Sequence, residues 1–310
     1  MPFPKLPARA AYLMLDNAPK RNALSIQVLE SLHEQLVKYN TPPGEEKPLL
    51  LPELSPTMLK RAFEDRPQRK ESLRKEYSWL RDAEEWRKRR GSLPKVLVLR
   101  TEGPVFSAGH DLKELDGLSP QDVQKAFRRC AEVMSLIRFS PIPVVGVIHG
   151  LATAAGAQLA LTTDLPVALA SAEFQLPGMS VGLPCTSPSA VLSRKLGNAF
   201  TYRMFALAER VRADQLPAGA VETVPDEAAL EARVSEIIDK LVNFPAQPQA
   251  MGKWAYWTQA GIEKVDKGLG DSQSASGRWA GRAMAVHTSA DDGIEGRRAF
   301  IEKRAPKWHT

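Results

Sequence analysis

The stretch Pro143-Val-Val-Gly-Val-Ile-His-Gly-Leu-Ala-Thr-Ala-Ala-Gly-Ala-Gln-Leu159 decides the fold. Its first half, Pro143–Ile148, is a short apolar run rich in β-branched residues, the pattern of a strand buried on both faces. Its second half exchanges bulk for glycine and alanine and predicts a small-residue helix over 154–163. A strand that turns directly into a helix argues for parallel pairing, and the same unit recurs along the chain. Val96-Leu-Val-Leu-Arg100 is a second buried strand, followed by a glycine-containing turn and a helix over 120–139. The apolar stripe of that helix is Val123, Phe127, Cys130, Val133, Met134 and Ile137, which makes Cys130 a core residue rather than a nucleophile. Ala11–Asp16 and Val167–Ala170 are further strands, and Ser25 caps a helix over 26–39. From Ser187 onward the signals are helical, over 189–196, 199–208, 226–242, 247–262, 272–288 and 291–304. The fold class is α/β. The core covers 1–40 and 94–225, a charged helical insertion covers 41–93, and a helical C-terminal region covers 226–310.

The composition of the 310 residues, 43% hydrophobic and 25% charged, suffices for a sizeable core. Two cysteines, Cys130 and Cys185, cannot staple a disulfide framework. Five histidines without a Cys-x-x-Cys or His-x-x-x-His pair argue against a zinc site, and no metal is expected. The longest apolar stretch, 141–161, is broken by Gly146, His149, Gly150 and Gly156, so no membrane span is expected. Met-Pro-Phe-Pro-Lys-Leu-Pro at the start has neither the apolar centre of a secretory signal nor the pattern of an organelle presequence. That leaves a cytoplasmic start, a mature form or a truncated one.

Positive charge is local. Residues 60–90 carry 12 Lys/Arg against 7 Asp/Glu, which accounts for most of the +6 of the whole chain. Two helical patterns separated by Pro67 carry Met58, Leu59, Ala62 and Phe63, then Leu73, Tyr77, Leu80 and Ala83. The favoured reading is a solvated helical insertion packed by its apolar stripe. The alternative is a surface that docks RNA, a membrane or a partner protein, with Trp79 and Trp86 interleaved among the charges.

Two turns place small residues where a strand ends and a helix begins: Phe106-Ser-Ala-Gly-His-Asp-Leu112 and His149–Leu159. Glycine and alanine let a ligand approach the backbone, and N–H groups in the first turn of a helix have no partner within it. Two such turns facing one another supply two donors to one carbonyl oxygen, each worth about 3–4 kcal/mol to a reaction that builds charge there.

These residues resemble a family. Pro19-Lys-Arg-Asn-Ala-Leu-Ser25, Phe106–Leu112, Gly150–Leu159 and Glu295-Gly-Arg-Arg-Ala-Phe-Ile-Glu-Lys-Arg304 are similar, in order and spacing, to motifs of the enoyl-CoA hydratase/isomerase (crotonase) superfamily. The two glycine-bearing motifs are closest to its domain-containing protein 3 type, a mitochondrial branch. The resemblance implies a crotonase-like spiral of ββα units with a helical C-terminal trimerisation region, in a homotrimer or dimer of trimers. It implies mitochondrial localisation, fatty acid metabolism, and a coenzyme A thioester as substrate or ligand, with no permanently bound cofactor. Motif to motif, the oxyanion-hole N–H groups belong to His110 and Ala155, the latter commonly glycine in the family. Ala108, His110, Asp111, Leu112 and Lys113 border the CoA, Lys20, Arg21 and Ala23 line its channel, and Phe300 and Lys303 match residues that reach CoA in a neighbouring subunit.

The resemblance also exposes a loss. The two glutamates with which the family's hydratases handle water correspond here to Gln158 and Gly178. Glutamine cannot titrate and glycine has no side chain. A positioned acid or base contributes about 10²–10⁴ in rate, so ordinary hydratase activity is not expected. Among nearby groups, Asp111 reads as a helix cap, Glu173 as outward-pointing and Cys185 as pocket lining. His110 acts as an acid or base only if its ring faces the pocket. Three functions follow: a lyase or isomerase relying on enolate stabilisation, a non-catalytic acyl-CoA binder, or a scaffold whose basic insertion docks RNA or an assembly. The retained CoA motifs place the enzyme first.

Overall fold

Four consecutive apolar residues, Val96–Leu99, are wholly buried, as are Val144 and Val145 in the neighbouring strand. Strands without an alternating polar face belong in the middle of a sheet covered on both sides. The computed structural model describes residues 3–52, 76–181, 184–260 and 291–310. In chain order, β1 (Ala10–Leu15) leads through α1 (Ile26–Asn40) and, within the insertion, α2 (Ala83–Arg90) to β2 (Val96–Thr101). Helices α3 (Leu112–Asp116) and α4 (Pro120–Phe139) precede β3 (Val144–Ile148), β4 (Leu151–Thr153) and α5 (Ala155–Thr162). Next come β5 (Leu165–Leu169), β6 (Glu173–Gln175), α6 (Thr186–Leu196), α7 (Asn198–Leu207), β7 (Arg210–Arg212) and β8 (Glu222–Val224). Helices α8 (Glu227–Asn243), α9 (Ala246–Ala260) and α10 (Asp291–Ile301) complete the described elements.

The chain divides into two compact units. The first holds residues 1–39, 96–138 and 143–241; the second holds 40–95, 139–142 and 242–310. In the first, five strands pair in the order β1-β2-β3-β5-β8, all parallel. Their alternation with helices follows from the strand-turn-helix pattern of the sequence. A second sheet, β4-β6-β7, joins one parallel and one antiparallel pair. Its strands β4 and β7 lie inside stretches where the sequence reading placed no strand, because three residues carry no periodicity. Cys130 is buried on α4, and burial pushes its thiol up to about 12.

In the second unit the described part of the insertion packs with C-terminal helices, so the two segments that the sequence reading set apart share one core. Leu51, Trp79, Leu80 and Trp86 cluster with Ala250, Met251 and Trp254. The Trp254 indole donates to the Pro52 carbonyl at 2.8 Å, and the Gln247 amide donates to the Trp79 carbonyl at 2.9 Å. The continuous helix expected through Tyr77, Leu80 and Ala83 is corrected. A 3-10 turn spans Ser78–Leu80, and Asp82 then caps α2 by accepting from Glu84 and Glu85. An aspartate at that position restarts the helix, since its carboxylate satisfies two amides that lack intrahelical partners. Trp79 and Trp86 stack at 5.6 Å inside this core rather than standing among the surface charges. The expected helical residues Met58–Phe63, Leu73 and 272–288 lie outside the described residues. Among those described, no helix is long and apolar enough to cross a membrane.

Candidate functional site

Four backbone segments run side by side in the first unit. Asn22–Leu24 lies along Ser107–His110, with the Ala108 amide donating to Arg21 and the Leu24 amide to Gly109, at 3.0 and 2.8 Å. Ser107 pairs in parallel with Ala152: its amide donates to Leu151, and its carbonyl accepts from Thr153. Strand β4 then pairs with β6, and the Ala154 amide donates to the Gln175 carbonyl at 2.9 Å. In sequence, Gln158 follows this turn by one helical turn on α5, and Gly178 lies three residues beyond its Gln175 partner.

The two glycine-bearing turns touch. Gly109 has φ +78°, and a β-carbon there would lie 2.9 Å from the Thr153 carbonyl oxygen and 3.4 Å from the Ala155 nitrogen. A β-carbon on Gly156 would meet the Ser107 carbonyl oxygen at 2.5 Å. No residue with a side chain fits either place, which is why both are glycine. Ala154 caps α5 with φ +50° and ψ −121°, a conformation that a β-carbon disfavours by about 1–3 kcal/mol.

His110 turns its imidazole into the protein. The ring meets Phe127 edge-on at 4.7 Å and bonds to the Leu24 backbone. Desolvation by burial lowers its pKa, with the Leu24 bond opposing. The ring is held against Phe127 and the Leu24 backbone, which leaves the backbone N–H as the part of His110 available to the turn. Asp111 caps α3 as expected, accepting from Lys113 and Glu114 at 3.1 and 3.2 Å. Hydrogen bonds from the Glu114 amide and from Lys20, whose ammonium stands 3.3 Å away, hold its carboxyl below the usual range. Glu114 is occupied as well, accepting from the Ile26 amide at the start of α1 at 2.9 Å. Glu173 pairs with Arg210 on the surface.

Ala155 and Gln158 are buried, and the Gln158 Oε1 has no hydrogen-bond partner. The Gly178 amide donates to the Cys185 Sγ at 3.3 Å, and burial pushes the Cys185 thiol up. Ala23 is buried, Ala108 half-buried, and Lys20, Arg21, Leu112 and Lys113 are exposed beside the same turns. Phe300 lies in α10, and Lys303 follows it with its side chain exposed, both in the second unit. Among the described residues no cluster of His, Cys, Asp or Glu could hold a metal ion.

Sequence reasoning missed Asn22 and Ser107. Asn22 is wholly buried at φ +52°, and its amide donates to Glu102 and Val105 at 2.6 and 2.9 Å while its oxygen accepts from Asn17. An asparagine flanked by turn residues was the available signal, because asparagine tolerates this backbone and bonds locally.

Comparison with known proteins agrees with this architecture. The sequence model of the enoyl-CoA hydratase/isomerase family matches residues 86–310. A Rattus norvegicus protein named enoyl-CoA hydratase domain-containing protein 3, mitochondrial, is 38% identical over 216 residues, 69% of each chain. Its Danio rerio namesake is 30% identical over 298 residues, 96% of this chain and 83% of its own. The crystal structure of the human protein of that name superposes with a TM-score of 0.73 at 29% identity, covering 98% of both chains. A Mycobacterium smegmatis enoyl-CoA hydratase gives 0.73 at 30% identity, covering 99% of this chain and 98% of its own. With its parallel sheet, paired turns and sequence all in agreement, the chain belongs to the enoyl-CoA hydratase/isomerase family and has the crotonase fold.

Proposed function

We propose that this protein binds an acyl-CoA thioester and polarises its carbonyl oxygen between the backbone N–H groups of His110 and Ala155. The observation that carries the reading is the close approach of Gly109, the residue before the His110 N–H, to the Thr153–Ala155 turn: a β-carbon on Gly109 would lie 3.4 Å from the Ala155 nitrogen. The Ala155 N–H opens α5 and has no intrahelical acceptor, so it is available to a ligand. Membership of the family supports CoA as the carrier. Lys20, Arg21, Ala23, Ala108, Asp111, Leu112 and Lys113 would border it, and Phe300 and Lys303 would reach it across a subunit interface in a homotrimer or dimer of trimers. Names of the relatives support a mitochondrial location, and family membership supports a place in fatty acid metabolism.

The chemistry follows from what the site keeps and what it lacks. As a bond at the α-carbon breaks, negative charge moves onto the thioester oxygen, where two fixed N–H dipoles stabilise it without reorganisation. Gln158 and Gly178 cannot take or give a proton, so hydration by a pair of carboxylates is not proposed. Decarboxylation needs mainly enolate stabilisation, whereas isomerisation, or slow hydration of an enoyl thioester, would take its proton from a surrogate acid or base such as water. The loss of both carboxylates equally supports a second reading, an acyl-CoA binder with little turnover. Burial of Trp79 and Trp86 removes the aromatic part of the case for a nucleic-acid surface on the insertion.

The test is incubation with crotonyl, longer 2-enoyl, 3-enoyl, malonyl-type and saturated acyl-CoA in D₂O, read by mass spectrometry. Water addition, mass-neutral isomerisation with deuterium uptake, and loss of CO₂ are distinct there. Turnover abolished by Ala155→Pro, which deletes one N–H at a helix position that accepts proline, supports the enzyme. No product and no α-deuterium, with thioester binding retained, supports the binder. Absence of thioester binding overturns both.

A further inference from the structure

We infer that Glu295 and Arg304 are positioning residues that aim Lys303 at the CoA phosphates by clamping the turn that ends α10. The inference rests on the proposed contact of Lys303 with CoA and adds the residues that hold it in place. The stop of α10 is a tight one. The Arg304 amide donates to the Ala299 carbonyl at 3.0 Å, and Lys303 just before it has φ +54°. That is the left-handed position at which helix ends favour glycine, because a β-carbon is unfavourable there. A lysine persists in such a place only where its surroundings fix it, and residues of this kind cluster at ligand sites.

The fixing groups lie on α10 itself. Arg304 donates to both oxygens of Glu295, at 2.6 and 2.9 Å, and to Glu302 at 2.5 Å. Bidentate geometry sets this pair apart from ordinary surface ion pairs, which hold little. The Lys307 amide donates to Glu295 at 2.6 Å, and the His309 amide and Thr310 hydroxyl donate to the buried Asp292. The chain thus leaves α10, reverses at Lys303 and returns along the helix, tied to two of its carboxylates. Arg304 and the Lys307 amide hold the Glu295 carboxyl down to about 2, so the clamp is charged at neutral pH. At the apex the Lys303 side chain is exposed and forms no ion pair among the described residues. Its backbone is ordered before a phosphate arrives, so binding requires less ordering of the chain.

The test measures butyryl-CoA affinity by calorimetry at low and high salt, beside urea unfolding. Lys303→Gly should raise the urea midpoint, since glycine adopts the turn without strain, yet weaken butyryl-CoA by about three- to fivefold. That loss should shrink in high salt, and Lys303→Arg, which keeps the charge, should bind nearly as the native protein does. Glu295→Gln and Arg304→Lys, which loosen the clamp, should each weaken binding by a similar factor. Neither should weaken it further when combined with Lys303→Gly, because the clamp acts through Lys303. Unchanged affinity in Lys303→Gly would overturn the inference and leave the thioester site standing. Clamp variants that bind as the native protein does, or whose losses multiply with that of Lys303→Gly, would overturn it as well. If the native protein does not bind butyryl-CoA, the thioester site itself fails and the inference falls with it.

Discussion

The Ser107 hydroxyl donates to the Asn22 carbonyl at 2.7 Å and accepts from the Gly109 amide at 3.2 Å. One buried hydroxyl thus ties the Lys20–Ser25 segment to the residue that precedes the His110 N–H. Ser107→Ala would leave a buried carbonyl and a buried amide each short of a partner, at a cost of about 2 kcal/mol or more. Urea unfolding should show that loss, and acyl-CoA affinity should fall with it because the Gly109–His110 peptide is no longer held.

Gly109→Ala should be worse. A methyl group there would stand 2.9 Å from the Thr153 carbonyl oxygen and 3.0 Å from the Ala154 β-carbon, at φ +78°. Strain and overpacking together should cost about 2–4 kcal/mol. Where the variant folds, the turns must separate, and thioester binding measured by calorimetry should be lost.

Ala154→Gly should act in the opposite direction. The residue sits at φ +50° and ψ −121°, which glycine adopts without strain. The substitution should stabilise the protein by about 1 kcal/mol, visible as a raised urea midpoint with unchanged slope. An unchanged or lowered midpoint would show that the alanine is not strained.

Stability should fall on the acid side through His110. Its folded-state pKa lies below the ordinary value of 6.5 because burial disfavours the charged ring. The unfolded chain therefore binds a proton at this imidazole where the folded chain does not. Stability from this group is complete above about pH 6.5 and declines as pH falls below it toward the lowered folded value. Urea midpoints from pH 8 to pH 5.5 should drop more steeply for the native protein than for His110→Gln. Parallel slopes would show that the ring is not held neutral.

Much of this protein is readable without its structure. The strands at Val96 and Val144, the amphipathic α4 with buried Cys130, and the Asp111 and Ser25 caps follow from composition and spacing within a few residues, where local preference and burial point the same way. Gln158 and Gly178 stood out because the motif around them is dense enough to align. What the sequence did not disclose has a common cause. Strands β4 and β7 are three residues long, and Ser107 and Asn22 act on partners 85 positions away. The shared core of the insertion and the C-terminal helices, with Gln247 bonded to Trp79 across 168 positions, is equally non-local.

By itself the sequence determined the α/β class and the two turns rich in small residues, because each is a property of neighbouring residues. Only the tertiary structure decided that Gly109 presses on Thr153–Ala155, that the His110 ring faces Phe127, and that the Gln158 oxygen is left without a partner. These depend on which segments pack side by side, and packing satisfies or orphans a polar group only once the whole chain has closed around it.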